Sequence, residues 1–242
     1  MLLSVIMPAY NEAAVIEAAV EDVMRDVLGA GVEGELIVID DGSTDATPAL
    51  LQQAAAHMPR LRILRQANAG HGPALIAGIS AARGELLLLL DSDRQIALGG
   101  FAGHLRALQA EGLVAILGVR ASRQDPGHRH VVSWLMARLI GLTKGVRPRD
   151  AGAPYKLVRR SAWDEVAPAI GPSSWIPSVL LAVHLHRRHP DRIREIDIPH
   201  AARQGSPSTL NLPRLARFCL RATVELLRFR PARPALADRP TG

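Results

Sequence analysis

The chain has 242 residues, 48% hydrophobic and 21% charged, which is enough to bury a sizeable core in one α/β domain. A single cysteine, Cys219, excludes an internal disulfide framework and a thiolate metal cluster, and no apolar run approaches the ~18 residues of a membrane-spanning helix. The net charge of +6 hides an asymmetry: residues 1–113 carry 7 basic against 14 acidic side chains, and residues 114–242 carry 22 against 9. An acidic half facing a basic half suits an anionic ligand held between them. Nucleic acid is disfavoured as that ligand, because aromatics are only 3% and cannot supply stacking platforms. Met1-Leu2-Leu3-Ser4 opens with no basic segment, so no signal peptide is expected and a cytoplasmic location is.

In chain order, Leu3-Ser4-Val5-Ile6-Met7-Pro8 reads as a strand, followed by Ala9-Tyr10-Asn11-Glu12 and a helical pattern through Leu28. Glu35 to Ile39 reads as a second strand ending in Asp40-Asp41-Gly42-Ser43-Thr44-Asp45, where Gly42 permits a sharp turn and Ser43 or Thr44 can cap a helix over 45–58. Leu61 to Leu64 is a third strand, followed by Asn68-Ala69-Gly70-His71-Gly72 and a helix to Arg83. Glu85-Leu86-Leu87-Leu88-Leu89-Leu90 is a fourth strand, apolar enough for burial on both faces, and it stops at Asp91-Ser92-Asp93. A helix over 98–111 and a fifth strand, Leu113 to Val119, complete an alternation that predicts a parallel sheet.

Ligands of open α/β sheets bind beyond the carboxyl ends of the strands. Glu12, Asp40 with Asp41, and Asp91 with Asp93 follow strands one, two and four, so parallel strands bring all three acidic clusters to one edge. Two carboxylates one residue apart repel, and a hard divalent cation such as Mg²⁺ or Mn²⁺ relieves that repulsion; a solvated turn is the plainer alternative. GxGxxG and GxxxxGK[ST] are both missing, which disfavours dinucleotide and P-loop sites.

Val5 to Glu12, Ile37 to Asp45, Asn68 to Gly72 and Asp91-Ser92-Asp93-Arg94-Gln95 together resemble the successive motifs of family 2 glycosyltransferases of GT-A fold. The resemblance implies an α/β, mostly parallel Rossmann-like sheet, a nucleotide-sugar donor and inversion at the anomeric carbon. It implies that Pro8, Tyr10, Glu12, Ile39 and Asp41 line the nucleoside pocket. Asp91 and Asp93, with Ser92 and Gln95 beside them, would hold the metal on the diphosphate.

Hydroxyl-acceptor members use an acid just before a late helix as base. The corresponding stretch, Ser173 to Ser178 ahead of a helix over Val179–Arg188, holds none. A phosphate acceptor is already anionic and needs cationic donors instead. Arg120, then Arg129 with Ser133, then Asp150 with Tyr155-Lys156, then Arg203 to Ser208 resemble the polyprenyl-phosphate branch, to which dolichol-phosphate mannosyltransferases belong. By that resemblance Arg120 and Arg203 contact donor phosphates, while Arg129, Ser133 and Lys156 serve the acceptor. The last motif is one residue shorter than usual, which leaves the sugar open. Asp150 is read as either the structural partner of an arginine, the favoured role, or a late-acting base, and His184, His186 and His189 as surface residues on a basic helix end.

From Leu212 to Phe229, Arg214, Arg217, Arg221, Glu225 and Arg228 fall in one stripe roughly 80° wide on a helix of ~100° per residue. Such a helix suits either an anionic membrane surface or the domain core. The expected organisation is a single unit over 1–230: a donor half at 1–119, an acceptor half at 120–211, an amphipathic helix at 212–230, then a disordered tail at 231–242. The expected protein is a peripheral enzyme of the inner membrane face, with scope for a membrane-anchoring partner protein. The alternatives are transfer to a hydroxyl acceptor and a non-catalytic nucleotide-sugar-binding subunit.

Overall fold

The computed structural model describes residues 1–29, 31–121, 127–201 and 212–230, with side chains at all of these except 127–133 and 212–215. One seven-stranded sheet organises it, built from β1 (Leu3–Ala9), β2 (Gly34–Asp40), β3 (Leu61–Arg65), β4 (Leu86–Leu89), β5 (Ala115–Arg120), β6 (Lys156–Arg159) and β7 (Ile193–Ile198). The strand order is β3-β2-β1-β4-β6-β5-β7. The helices are α1 (Ile16–Val23), α2 (Thr47–His57), α3 (His71–Ala81), α4 (Phe101–Ala110), α5 (Gly127–Lys144), α6 (Arg160–Ile170), α7 (Pro177–Arg188) and α8 (Leu212–Arg228).

The leucine run behaves as its composition dictates. Leu86 and Leu88 join Val5, Met7 and Val38 in a core beneath α1 and α4, while Leu87 and Leu89 join Ile6 and Ile37 in a second core beneath α3, α6 and α7. Both faces are dry, so each leucine contributes roughly 1.5–3 kcal/mol by burial. Helix α3 comes especially close, because Gly78 has no Cβ: one added there would lie 2.5 Å from Ile6 Cγ2.

The expectation of a parallel sheet holds for β1, β2, β3 and β4. It fails at β6, which runs antiparallel between β4 and β5 and was not foreseen, nor was β7. Lys156 and Arg159 at the ends of a four-residue strand mask its apolar pattern. The first helical pattern also divides, with α1 ending at Val23 and a π-helical turn over Met24–Leu28.

Two further expectations need correction. His184 is fully buried rather than superficial, and His189 shares the Glu165 carboxylate with it. His186 is held between the Ala182 carbonyl and Glu195. Their neighbours in sequence are basic, but the inward face of α7 is what places His184 against the core. The charged stripe of α8 does not simply face outward either. The Arg221 guanidinium stacks on Trp175, 4.5 Å from the ring centroid, and Glu225 accepts hydrogen bonds from Ser174 Oγ and the Trp175 N–H. Ala222, Leu226 and Phe229 are buried, whereas Leu220, Val224 and Leu227 are exposed. Lys144, at the end of α5, donates to the Leu227 and Phe229 carbonyls and ties the two helix ends together. No helix among the described residues is long and apolar enough to cross a membrane. Residues 231–242, expected as a tail, lie outside the described residues.

Candidate active site at the carboxyl edge of the sheet

Strand order reverses at β1, with β2 and β3 to one side and β4 to the other, and this switch point is where an α/β sheet opens its crevice. The loops after β1 and β2 are stitched together there. The Asn11 N–H donates to Ser43 Oγ, the Thr44 N–H donates to Asn11 Oδ1, and the Glu12 N–H donates to Thr47 Oγ1, at 3.0, 2.8 and 2.9 Å. Asn11 sits at φ 54°, a left-handed conformation that asparagine tolerates better than most residues.

The expected nucleoside-pocket residues divide. Tyr10 is half-buried and Glu12 is buried, both in the loop after β1. Pro8 and Ile39 are register partners at the ends of β1 and β2, and Ile39 is wholly buried under α3, so its side chain belongs to the core. Asp41 accepts from Gln66 Nε2 at 2.7 Å, the Ala69 N–H at 2.9 Å and the Gly70 N–H at 2.8 Å. It therefore shapes the loop that delivers the start of α3.

That start places His71 against Asp91, with Nε2 2.9 Å from Oδ1. Alternation along β4 explains the meeting: Leu87, Leu89 and then Asp91 point to the α3 side of the sheet. Burial alone would push the Asp91 carboxyl up, but the His71 imidazole overrides this and holds it below its ordinary value. The same pair reverses the effect of burial on His71 and raises its pKa. Lys156 and Arg120 add further positive charge at Asp91.

Lys156 enters from β6, between Leu89 and Leu117, and donates to the Ala153 carbonyl. It is almost wholly buried, which pushes its ammonium down to about 8 against the pull of Asp150 and Asp91. Arg120 closes β5 and forms a bidentate pair with the buried Asp150, Nε to Oδ2 at 2.7 Å and Nη2 to Oδ1 at 2.9 Å. Asp150 is thus the structural partner expected of it.

Asp91 and Asp93 line one small cavity of about 20 Å³ with Met7, Asp22 and Leu90. Ser92 between them is buried. Asp93 Oδ1 accepts from the Gln95 N–H at 3.2 Å, and the Gln95 amide donates to the Ala201 carbonyl at 3.0 Å. The two carboxylates offer oxygen donors of the kind a hard divalent cation takes, on a cavity also lined by Arg94. Arg129 and Ser133 belong to α5, but their side chains lie outside the described residues, as does Arg203 altogether.

Two participants were not assigned from the sequence. His71 lies within the Asn68 to Gly72 motif, but its role depends on α3 meeting β4. The segment Ser174-Trp175 lies against Gly72, where an added Cβ would fall 2.9 Å from Trp175 Cα and closer still to the Ser174 carbonyl. The same segment is gripped by Arg221 and Glu225, so α8 is linked through one loop to the start of α3.

Residues 4–167 match the model of glycosyl transferase family 2. The chain is 32% identical over 224 residues to the dodecaprenyl-phosphate galacturonate synthase of Rhizobium johnstonii, covering 90% of this chain and 64% of the relative. It is 30% identical over 216 residues to the undecaprenyl-phosphate 4-deoxy-4-formamido-L-arabinose transferase of Pseudomonas aeruginosa, covering 88% of this chain and 62% of the relative. The chain thus spans a little under two thirds of the length of these curated relatives. Among solved structures it is similar to glucosyl-3-phosphoglycerate synthase of Mycobacterium tuberculosis in complex with UDP, with a TM-score of 0.70 at 22% identity over 95% of this chain and 80% of that one. A complex of the same protein with Mn²⁺, UDP and glucosyl-3-phosphoglycerate gives the same TM-score, 0.70, identity and coverage. The fold is therefore the expected GT-A arrangement.

Proposed function

Because the chain belongs to glycosyl transferase family 2, we propose that it moves a sugar from a nucleotide-sugar donor to a polyprenyl phosphate. The observation that carries this reading is the arrangement at the end of β4: a pair of carboxylates, with His71, Lys156 and Arg120 supplying positive charge to Asp91. Transfer leaves a nucleoside diphosphate whose charge grows as the glycosidic bond breaks. A divalent ion, Mg²⁺ or Mn²⁺, held by Asp91 and Asp93 would supply Lewis-acid stabilisation to that diphosphate. His71 orients Asp91, while Lys156, bonded to the Ala153 carbonyl, and Arg120, paired with Asp150, set a positive field for phosphates. On this reading Tyr10 and Glu12 would serve the nucleoside, Arg129 and Ser133 the acceptor phosphate, and Arg203 the donor phosphates.

A phosphate acceptor arrives as an anion, so no base need be positioned. Ser173 to Ser178 supplies none, and Asp150 is committed to Arg120. The relatives named for dodecaprenyl-phosphate and undecaprenyl-phosphate transfer favour the same acceptor class. The unit 1–230 would work at a membrane surface. Trp134, Leu135 and Leu142 of α5 and Leu220, Val224 and Leu227 of α8 are exposed, and the Lys144 bonds hold the two helix ends together.

The test supplies purified protein with a polyprenyl phosphate, Mg²⁺ or Mn²⁺ and a panel of labelled nucleotide sugars. A labelled lipid with at least one donor is expected. Product on no lipid, across the panel, would overturn the reading.

A further inference from the structure

Helices α6 and α7 carry a second cluster of ligand-bearing side chains, separate from the acids after β4. It lies at the carboxyl end of α7, roughly 15 Å along the helix axis from its start beside Trp175. Glu165 Oε2 of α6 is 3.3 Å from Nε2 of the buried His184 and 3.0 Å from Nε2 of His189, just past the end of α7. The three ligand atoms all lie within 4.8 Å of one another. With bonds of about 2.0–2.2 Å to nitrogen and oxygen, the edge of a metal tetrahedron is about 3.4 Å. One ion therefore fits among the three atoms, with a fourth position open on the side of Glu165, whose side chain is 41% exposed.

We propose that Glu165, His184 and His189 bind a borderline transition-metal ion, of the zinc and cobalt(II) class, that clips α6 to the end of α7. Two imidazoles and one carboxylate suit such an ion, whereas the all-oxygen pair Asp91 and Asp93 suits Mg²⁺ or Mn²⁺. The two sites therefore select different metals. Ligation needs a neutral imidazole, so binding should weaken as pH falls and the histidines take up protons. His184 Nδ1 is buried without a hydrogen-bond partner. Nδ1 thus stays without a protein partner on ligation, turning from an acceptor into a donor as the proton moves to it from Nε2. Arg188 Nε lies 4.0 Å from Glu165 Oε2 and competes weakly for it, which points to moderate affinity.

The experiment uses tag-free, metal-stripped, full-length protein carrying Asp91→Asn and Asp93→Asn, which removes the other candidate site. Calorimetric titration with Zn²⁺ should show one bound equivalent and a raised Tm. Adding His189→Ala should abolish the binding, and Glu165→Gln should weaken it at least tenfold. His186→Ala should leave it unchanged, since His186 is bonded to Ala182 and Glu195 instead. Co²⁺ bound to the protein with all three ligands intact should give the intense visible bands of a four-coordinate site, a readout that needs no ligand variant to fold. Absence of Zn²⁺ binding, binding that survives His189→Ala, or weak six-coordinate Co²⁺ bands would each overturn the proposal.

Discussion

Arg120 and Asp150 meet as a bidentate pair at the end of β5, with side chains only 16% and 4% exposed. Charged groups taken this far from water are stable chiefly because each satisfies the other. Asp150→Ala should therefore cost about 3–5 kcal/mol of stability and displace Arg120 from the phosphate side of the site. Asp150→Asn, which keeps the shape and one acceptor, should cost less. Denaturant unfolding of both variants, paired with donor affinity, checks the ordering; equal stability for all three proteins would contradict it.

Asp91→Asn and Asp93→Asn should each lower turnover at least 100-fold, on the scale of lost electrostatic stabilisation of a leaving group. Unfolding midpoints should stay close to the parent, because both residues lie beyond the strand and Asp91 is partly exposed. Chelation should abolish transfer in the parent, and Mg²⁺ or Mn²⁺ should restore it. Steady-state rates with thermal melts separate this from simple misfolding.

Lys156 gives a pH prediction. Its folded pKa is depressed from 10.5 to about 8, so the unfolded chain binds more protons between these values. Stability from this group therefore rises with pH between about 8 and 10.5, is fully present above that window, and is lost as pH falls through 8. Affinity for a nucleoside diphosphate should move the other way, falling above pH 8 as the ammonium near Asp91 discharges. Lys156→Met should remove both dependences. A pH series of unfolding and binding measurements checks the opposite signs.

Gly72 has no room for a side chain, because Ser174 and Trp175 occupy the space. Gly72→Ala should push that segment away at a cost of about 1–3 kcal/mol. It should also loosen the grip of Glu225 on Trp175. Glu225→Gln should lower stability and activity together, as expected of a group that holds a loop. A collapse of turnover at unchanged stability would instead mark Glu225 as a base and favour a hydroxyl acceptor.

The exposed row Leu220, Val224 and Leu227 should bring the protein to vesicles rich in anionic lipid. Replacing all three with Ser should at least halve the bound fraction in flotation assays. High salt should weaken binding by screening the nearby arginines.

Much of this arrangement was legible in the sequence because it follows from local pattern. Leu86 to Leu90 could only be a strand dry on both faces, and a carboxylate pair ending such a strand must sit at the sheet edge. What escaped notice depended on tertiary burial of charged or polar side chains. The motif around Lys156 is visible, but not its burial, because β6 has only four residues and its partners come from distant β4 and β5. His184 sits in a run of basic residues, yet α7 turns it inward. Arg221 and Glu225 read as a solvated stripe until Trp175 is seen beneath them. In each case the deciding contact lies far along the chain, where no periodicity reaches.

The most direct measurement compares two acceptors, a polyprenyl phosphate and the matching polyprenol, under identical donor and metal conditions. The geometry predicts label on the phosphate alone, since an anionic acceptor needs no positioned base. Label on the alcohol, with the phosphate inert, would contradict the account.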